Sequence, residues 1–221
     1  MSTTTNPGET AMSHQARRQH WEQVYGTKGE EEVSWFEANP VLSLELIKIA
    51  GFGAEAIVID IGGGASHLVD GLIADKQAGI TVLDLSGNAL EVARARLGKD
   101  ANRVNWVVSD VTAWLPDREY DVWHDRAAFH FLTEPVYQNA YVDVLKASLR
   151  PSGAAIIGTF APDGPEKCSG LHVARHDAES LGRILGEEFE LVETRRHEHQ
   201  TPWQSVQRFQ FSTFRRLARA I

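Results

Sequence analysis

Five short apolar runs, rich in β-branched residues, punctuate the chain: AEAIVIDI (54–61), GITVLDL (79–85), RVNWVVSD (103–110), YDVWHD (120–125) and GAAIIGTF (153–160). Their length and composition predict strands rather than buried helices. The intervening stretches HLVDGLIADKQ, SGNALEVARARLG and EPVYQNAYVDVLKASLRPSG carry apolar positions at helical spacing, and Pro151 and Gly153 are expected to end the last of them. Strands that are apolar throughout, alternating with helices, predict a parallel sheet covered on both faces, a doubly wound α/β fold. Beyond it the pattern predicts a loop from about Ala161 to Ala174, a helix opened by Asp177, a strand at FELVETRRH and a closing strand at VQRFQFSTF.

At 221 residues the chain has room for one α/β domain with a large core and not for two catalytic domains. Residues 1–13, rich in Thr, Ser, Gly and Asn, are expected to be a disordered tail ahead of a single domain over 14–221. A net charge of −8, from 22 Lys and Arg against 30 Asp and Glu, argues against a nucleic-acid binder, which needs a basic footprint. The one basic stretch, Arg208, Arg215, Arg216 and Arg219, reads as a solvated face. The sole cysteine, Cys168, rules out an internal disulfide and a CxxC zinc site, and it points to a reducing compartment. No apolar run approaches the ~18 residues of a membrane span, and the N-terminus lacks the basic and apolar regions of a signal peptide. A soluble cytoplasmic protein is expected, with no membrane contact and no obligate partner.

The first strand runs into VIDIGGGASH, residues 58–67, where an acid is followed by three glycines. Such a turn lets backbone approach a small ligand closely, and three ligands are open: a nucleoside triphosphate, a nicotinamide dinucleotide or S-adenosylmethionine. A P-loop requires Lys and Ser/Thr after its last glycine, whereas Ala65, Ser66 and His67 follow here. A dinucleotide turn wants a small residue where Gly62-x-Gly64-x-x-His67 has an imidazole, which weakens that option. Asp60, Asp84, Asp110 and Asp125 then fall at the ends of four successive predicted strands. In an open α/β sheet those ends line the ligand crevice. Four carboxylates there suit the ammonium, sulfonium, ribose diol and adenine amine of S-adenosylmethionine, and they would repel a pyrophosphate. Each acid taken alone reads equally well as a helix cap.

In order and spacing, VIDIGGGAS, VLDLS, VVSDVTAW and DVWHDRAAFHFL resemble the motifs of class I S-adenosylmethionine-dependent methyltransferases, over about residue 14 to the end. HWEQVYGTKGEEEVSWFEANP and TFAPDGPEKCSGLHV are similar to a subgroup of small bacterial methyltransferases and the eukaryotic protein-lysine methyltransferases related to them. The resemblance implies a Rossmann-like methyltransferase fold, with a mostly parallel seven-stranded sheet, an antiparallel last strand and an N-terminal helical cap. It implies that Gly62 and Gly64 admit the amino-acid end of the cofactor while Asp60 supports their loop. Asp84, followed by Leu85, would take the ribose hydroxyls, and Asp110 with the Val111 backbone would meet the adenine. Trp21, Tyr25 and Trp35 become candidates to cap the methionine end, where a ring face attracts a sulfonium without attacking it. Trp21 and Tyr25, four apart, read equally as a helix packing face.

Methyl transfer from a sulfonium is an in-line displacement in which positioning and desolvation supply most of the catalysis. An acceptor that must lose a proton needs a base, and the candidates are Asp125, His130 and the pair His197 and His199, with His130 preferred for its near-neutral titration. Arg126, Phe129 and His130, with His197 and His199 from a later strand, are expected to form the acceptor side. His197 and His199 could share a metal, but two imidazoles without a third ligand favour ordinary polar contacts, and no metal is expected. Cys168 is expected to pack in a loop. The expected acceptor is a small molecule, because no long insertion is present to hold a macromolecule. A protein lysine is the alternative, with Glu30, Glu31 and Glu32 as an acidic run that reads more simply as a solvated loop. Outside enzymes, the alternative is a module that binds the cofactor without turnover.

Overall fold

The computed structural model describes residues 12–218. Helix α1 (His14–Thr27) opens the chain, with Ser13 Oγ accepting the Ala16 N–H as its cap; a 3₁₀ turn at Glu30–Glu32 and α2 (Val41–Ile49) follow. The alternating part runs β1 (Ile57–Ile61), α3 (Leu68–Ala74), β2 (Gly79–Asp84), α4 (Gly87–Leu97), β3 (Val104–Val108), β4 (Tyr120–Arg126), α5 (Pro135–Ser148) and β5 (Leu149–Phe160). A two-residue ribbon, β6 (Lys167–Cys168) and β7 (Leu171–His172), then leads to α6 (Ala178–Leu185), β8 (Phe189–Gln200) and β9 (Val206–Arg216).

The main sheet has the order β3-β2-β1-β4-β5-β9-β8. Neighbours from β3 to β5 pair in parallel, and β9 runs antiparallel to both β5 and β8. This is the expected mostly parallel seven-stranded sheet with an antiparallel last strand. Successive strand residues point to opposite faces, and both faces are covered. Ile59, Ile61 and Trp123 pack with Tyr141 and Leu145 of α5 and Leu181 of α6, while Val58, Val82 and Val122 pack with Leu46 of α2, Leu72 of α3 and Leu90 of α4. Two buried faces explain why the strands read as unbroken apolar runs. Among the described residues no helix is long and apolar enough to cross a membrane.

Several sequence expectations shift. The helix expected to run to Pro151 ends at Ser148, because β5 begins at once and Ser152 turns the chain at a left-handed φ of 64°. The segment VLSLELIKI, left unassigned above, is α2. Arg215 and Arg216 do not form a solvated face: they donate to the carbonyls of Ser152, Ala50 and Leu149 and tie the end of β9 to β5 and to the end of α2. Of the expected tail, residues 1–11 lie outside the described residues, as does Arg219.

After β1 the chain winds outward to β2 and β3, then crosses back to β4 on the other side of β1. That reversal opens a crevice beyond the carboxyl ends of β1 and β4, where α/β sheets bind ligands.

Candidate active site

β1 leads into Gly62 and Gly64, whose φ values of 65° and 46° are left-handed and favour glycine. Space imposes the same choice: a Cβ on Gly62 would lie 2.6 Å from the Ala128 Cβ, and one on Gly63 2.5 Å from Asp60 Oδ2. The N–H groups of Gly62 and Gly63 donate to the Leu83 carbonyl at 2.7 and 3.3 Å, pinning the turn to β2. Beneath it, Asp60 hydrogen-bonds His124 Nδ1 at 2.7 Å, and His124 Nε2 meets Ser43 Oγ at 2.9 Å. This buried chain of three side chains ties β1, β4 and α2 together. The acid was read from sequence; its partner His124 was not.

Of the sequence candidates, Trp21, Tyr25, Trp35, Gly62, Asp84, Leu85, Asp110, Val111 and Arg126 line one crevice. Gly64 stands just behind, where an added Cβ would come within 3.0 Å of Asp84 Oδ2 and 3.1 Å of Tyr25 Oη. Asp84, at the end of β2, accepts the Ser86 N–H at 2.8 Å. Burial, reinforced by the charges of Asp60 and Glu22 and only partly offset by N–H donors, pushes its pKa up to about 7. Asp110 lies in the loop after β3. Burial opposes its ionisation, but Arg17, whose Nη2 donates at 2.7 Å, and Thr112 outweigh that and hold its pKa below the usual carboxylate range.

Helix α1 roofs the crevice, as the expected N-terminal cap. Glu22 accepts from Ser86 Oγ at 2.9 Å and from the N–H groups of Gly87 and Asn88 at 3.0 and 3.2 Å, so it caps α4 from across the chain. Arg17 and His14 both bind Asp110. The Trp21 ring meets Trp35 and Phe131 edge-on at 5.6 and 4.9 Å, and Trp35 Nε1 donates to Tyr25 Oη at 3.1 Å. Packing face and crevice lining are therefore the same residues. The space left is about 100 Å³, against roughly 300–1,000 Å³ for an ordinary small-molecule site. Arg17, Glu22 and Phe131 were not legible in sequence, because each acts across a long chain separation.

Four expectations for the acceptor side are corrected. His130 is fully buried and lines none of the crevice; its Nδ1 accepts the Phe160 N–H at 3.4 Å, and burial drives its pKa down to about 3. Its ring packs against Phe131 and Phe160, at 4.4 and 4.8 Å, outside the crevice lining. Asp125 is also fully buried: its carboxylate accepts from the Ala128 and Phe129 N–H groups at 2.9 and 3.1 Å and from Tyr141 Oη at 2.8 Å. It caps the turn after β4, where Ala127 takes a strained φ of 70°, and burial lifts its pKa to about 6. Phe129 packs in the core against Tyr141 at 4.8 Å. His197 and His199 lie behind Arg126 rather than in the crevice.

Those two imidazoles do have a third neighbour. His197, His199 and Glu37 bring one ligand atom each within 4.8 Å of one another. The Arg126 guanidinium stands 3.5 Å from both Glu37 Oε2 and His199 Nδ1, beside those groups. We read the three groups as its polar surround. Cys168 is buried and lines the crevice, and burial raises its thiol to a pKa of about 11. Glu30 is not a solvated residue: it pairs with Arg96, which also holds Asp70 and the carbonyls of Ala65 and Ser66 at the end of the glycine turn.

Residues 58–153 match the family model described as a methyltransferase domain. A malonyl-[acyl-carrier protein] O-methyltransferase from Priestia megaterium is 28% identical over 111 residues, 49% of this chain and 38% of that protein. The matched stretch thus spans about two fifths of the curated relatives it aligns with, 38% and 40%. Among solved structures, an S-adenosylmethionine-dependent methyltransferase from Anabaena variabilis superposes with a TM-score of 0.72 at 16% identity, covering 98% of this chain and 99% of that one. The 1,6-didemethyltoxoflavin-N1-methyltransferase of Burkholderia thailandensis, solved with that compound and S-adenosylhomocysteine, superposes with a TM-score of 0.68 at 19% identity, covering 97% and 94%. These two likenesses establish the fold.

Sheet order, glycine turn and the acids at the end of β2 and after β3 define a doubly wound domain with a crevice beyond the carboxyl ends of its central strands. The match to a methyltransferase domain over residues 58–153 and the fold shared with S-adenosylmethionine-dependent methyltransferases both point to that class of protein.

Proposed function

We propose that the protein transfers the methyl group of S-adenosylmethionine to a small-molecule acceptor by in-line displacement in this crevice. The observation that carries the reading is the convergence of Asp84, Asp110 and the Gly62 turn beneath three aromatic rings of the N-terminal segment. The cofactor supplies an electrophilic methyl on a sulfonium. Asp84 accepts the ribose hydroxyls, Asp110 exchanges Arg17 for the adenine amine beside the Val111 N–H, and Gly62 and Gly64 admit the amino-acid end with Asp60 bracing their turn. Trp21, Tyr25 and Trp35 face the sulfonium with electron-rich rings, which stabilise a cation and exclude water.

A small acceptor fits a crevice roofed by the chain's own helix and leaving little open rim. The test is incubation with methyl-labelled S-adenosylmethionine and a cell lysate separated by size. Label in the small fraction supports the reading. Label in the protein fraction would overturn it in favour of a protein lysine or a carrier-bound acceptor, the latter being what the Priestia relative's name describes. Cofactor binding without label in any fraction would mark a binding module.

A further inference from the structure

The crevice wall at the end of β4 carries a guanidinium with unused donors. Arg126 is 12% exposed, and its buried Nε has no partner among the described residues. Nη1 donates to the Trp35 carbonyl at 2.9 Å, while Nη2 has only the two 3.5 Å approaches to Glu37 and His199. The other arginines near the crevice are each committed to a carboxylate at hydrogen-bond distance. Arg17 holds Asp110 at 2.7 Å, and Arg96 meets two carboxylates and two carbonyls. A planar fork with spare N–H groups matches a carboxylate in geometry and charge.

Among the described residues that line the crevice, no side chain beside Arg126 is free to take a proton; Glu37 and His199 stand against the guanidinium but do not line the crevice. Tyr25 and Cys168 are kept protonated by burial. Asp84 and Asp110 belong to the nucleoside end, and His130 and Asp125 are committed to the core. An ammonium acceptor would have to sit beside a guanidinium and lose a proton with nothing to receive it. Thiols and phenols, with ordinary pKa values of about 8.5 and 10, face the same lack of a base. A carboxylic acid, at about 4, arrives already ionised.

We propose that Arg126 binds the acceptor and that the acceptor is a carboxylate, making the reaction a methyl esterification. The inference rests on the methyl-transfer reading above. A carboxylate oxygen lone pair forms the new O–CH₃ bond, the S–CH₃ bonding pair returns to sulfur, and the products are a neutral methyl ester and S-adenosylhomocysteine. No proton moves. Esterification removes the charge that Arg126 held, which favours release of the product.

The experiment incubates the full chain with methyl-labelled S-adenosylmethionine and the small-molecule fraction of a lysate, then treats the labelled product with mild alkali. A methyl ester releases its label as volatile methanol; methyl groups on nitrogen, sulfur or an ether oxygen stay in place. Arg126→Ala is expected to lower kcat/KM for that acceptor by about 10²-fold or more, the loss of charged hydrogen bonds. Its affinity for S-adenosylhomocysteine should stay within a few-fold, and added guanidinium ion should restore part of the rate. Should that variant fail to fold, Arg126→Lys keeps the charge without the fork, and the loss is expected in KM rather than in kcat. Alkali-stable label, or full activity in a folded Arg126 variant, overturns the carboxylate and leaves methyl transfer standing. Absence of label in every fraction, with S-adenosylhomocysteine bound, removes the methyl-transfer reading and this inference with it.

Discussion

Asp84→Asn separates the cost of a buried acid from its use. The wild-type carboxyl is 7% exposed, and burial together with the neighbouring charges of Asp60 and Glu22 raises its pKa to about 7. A folded state that raises an acid's pKa holds the proton more tightly than the unfolded chain, where the value is near 3.9. The protonated group therefore favours folding fully below about pH 4, and that contribution is lost as pH rises through 7. About three units at 1.36 kcal/mol each set an upper figure of ~4 kcal/mol. Asparagine keeps the shape and the acceptor for Ser86 without the charge. The variant is expected to stabilise the cofactor-free protein at pH 8 by roughly 1–4 kcal/mol, at about 2–4 °C of melting temperature per kcal/mol. The gain should shrink towards pH 5. Cofactor affinity should move the other way: with the ionised carboxylate proposed to accept both ribose hydroxyls, wild-type affinity should rise as pH climbs through 7, while the variant loses roughly 2–4 kcal/mol at pH 8. Scanning calorimetry and titration with S-adenosylhomocysteine between pH 5 and 8 measure both, and comparing the two proteins cancels titration of the ligand itself. A variant that melts lower at pH 8, or binds like wild type, refutes the reasoning.

Local pattern was enough for the central strands, because strands buried on both faces are apolar at most positions and leave a long signal in the chain. The glycine turn was legible for a related reason, since left-handed φ values and a 2.6 Å approach to Ala128 tolerate no side chain at Gly62. An acid at a strand end is a weaker signal. Asp84 and Asp125 occupy similar places in sequence, yet one borders the crevice and the other caps a turn with Ala128, Phe129 and Tyr141. What separates them is the path of the next few residues, and three-residue turns have no periodicity to read. His130 was misplaced for the same reason, one step along a 3₁₀ turn at Phe129–Phe131. Arg17 to Asp110, Glu22 to Ser86 and Arg126 to Glu37 are pairings across 93, 64 and 89 positions, and only the fold brings them together.

Three further outcomes are expected. His130→Ala should lower the melting temperature by opening a cavity beside Phe160 while leaving S-adenosylhomocysteine affinity and kcat within a few-fold, measured by calorimetry and label transfer; a folded variant with a 10²-fold loss of kcat, the scale of a lost general base, would return it to the site. Gly62→Ala should abolish S-adenosylhomocysteine binding in titration, since its Cβ would meet that of Ala128 at 2.6 Å; normal affinity would mean the turn does not approach the ligand. Arg17→Ala tests the roof. Arg17 joins α1 to Asp110 at 2.7 Å and stacks 4.3 Å over the Tyr137 ring, so α1 holds the acid that the adenine amine would take. Removing the guanidinium leaves His14 on Asp110 and Glu22 on the start of α4 as the polar ties between α1 and the crevice rim, and takes the cation away from Asp110. S-adenosylhomocysteine should then associate faster in stopped-flow Trp fluorescence, and backbone amides of 14–27 should exchange faster in the free protein. The bound state should gain less, since α1 then rests on the ligand. If association slows and α1 exchange is unchanged, the helix is a fixed wall and Arg17 serves only to orient Asp110.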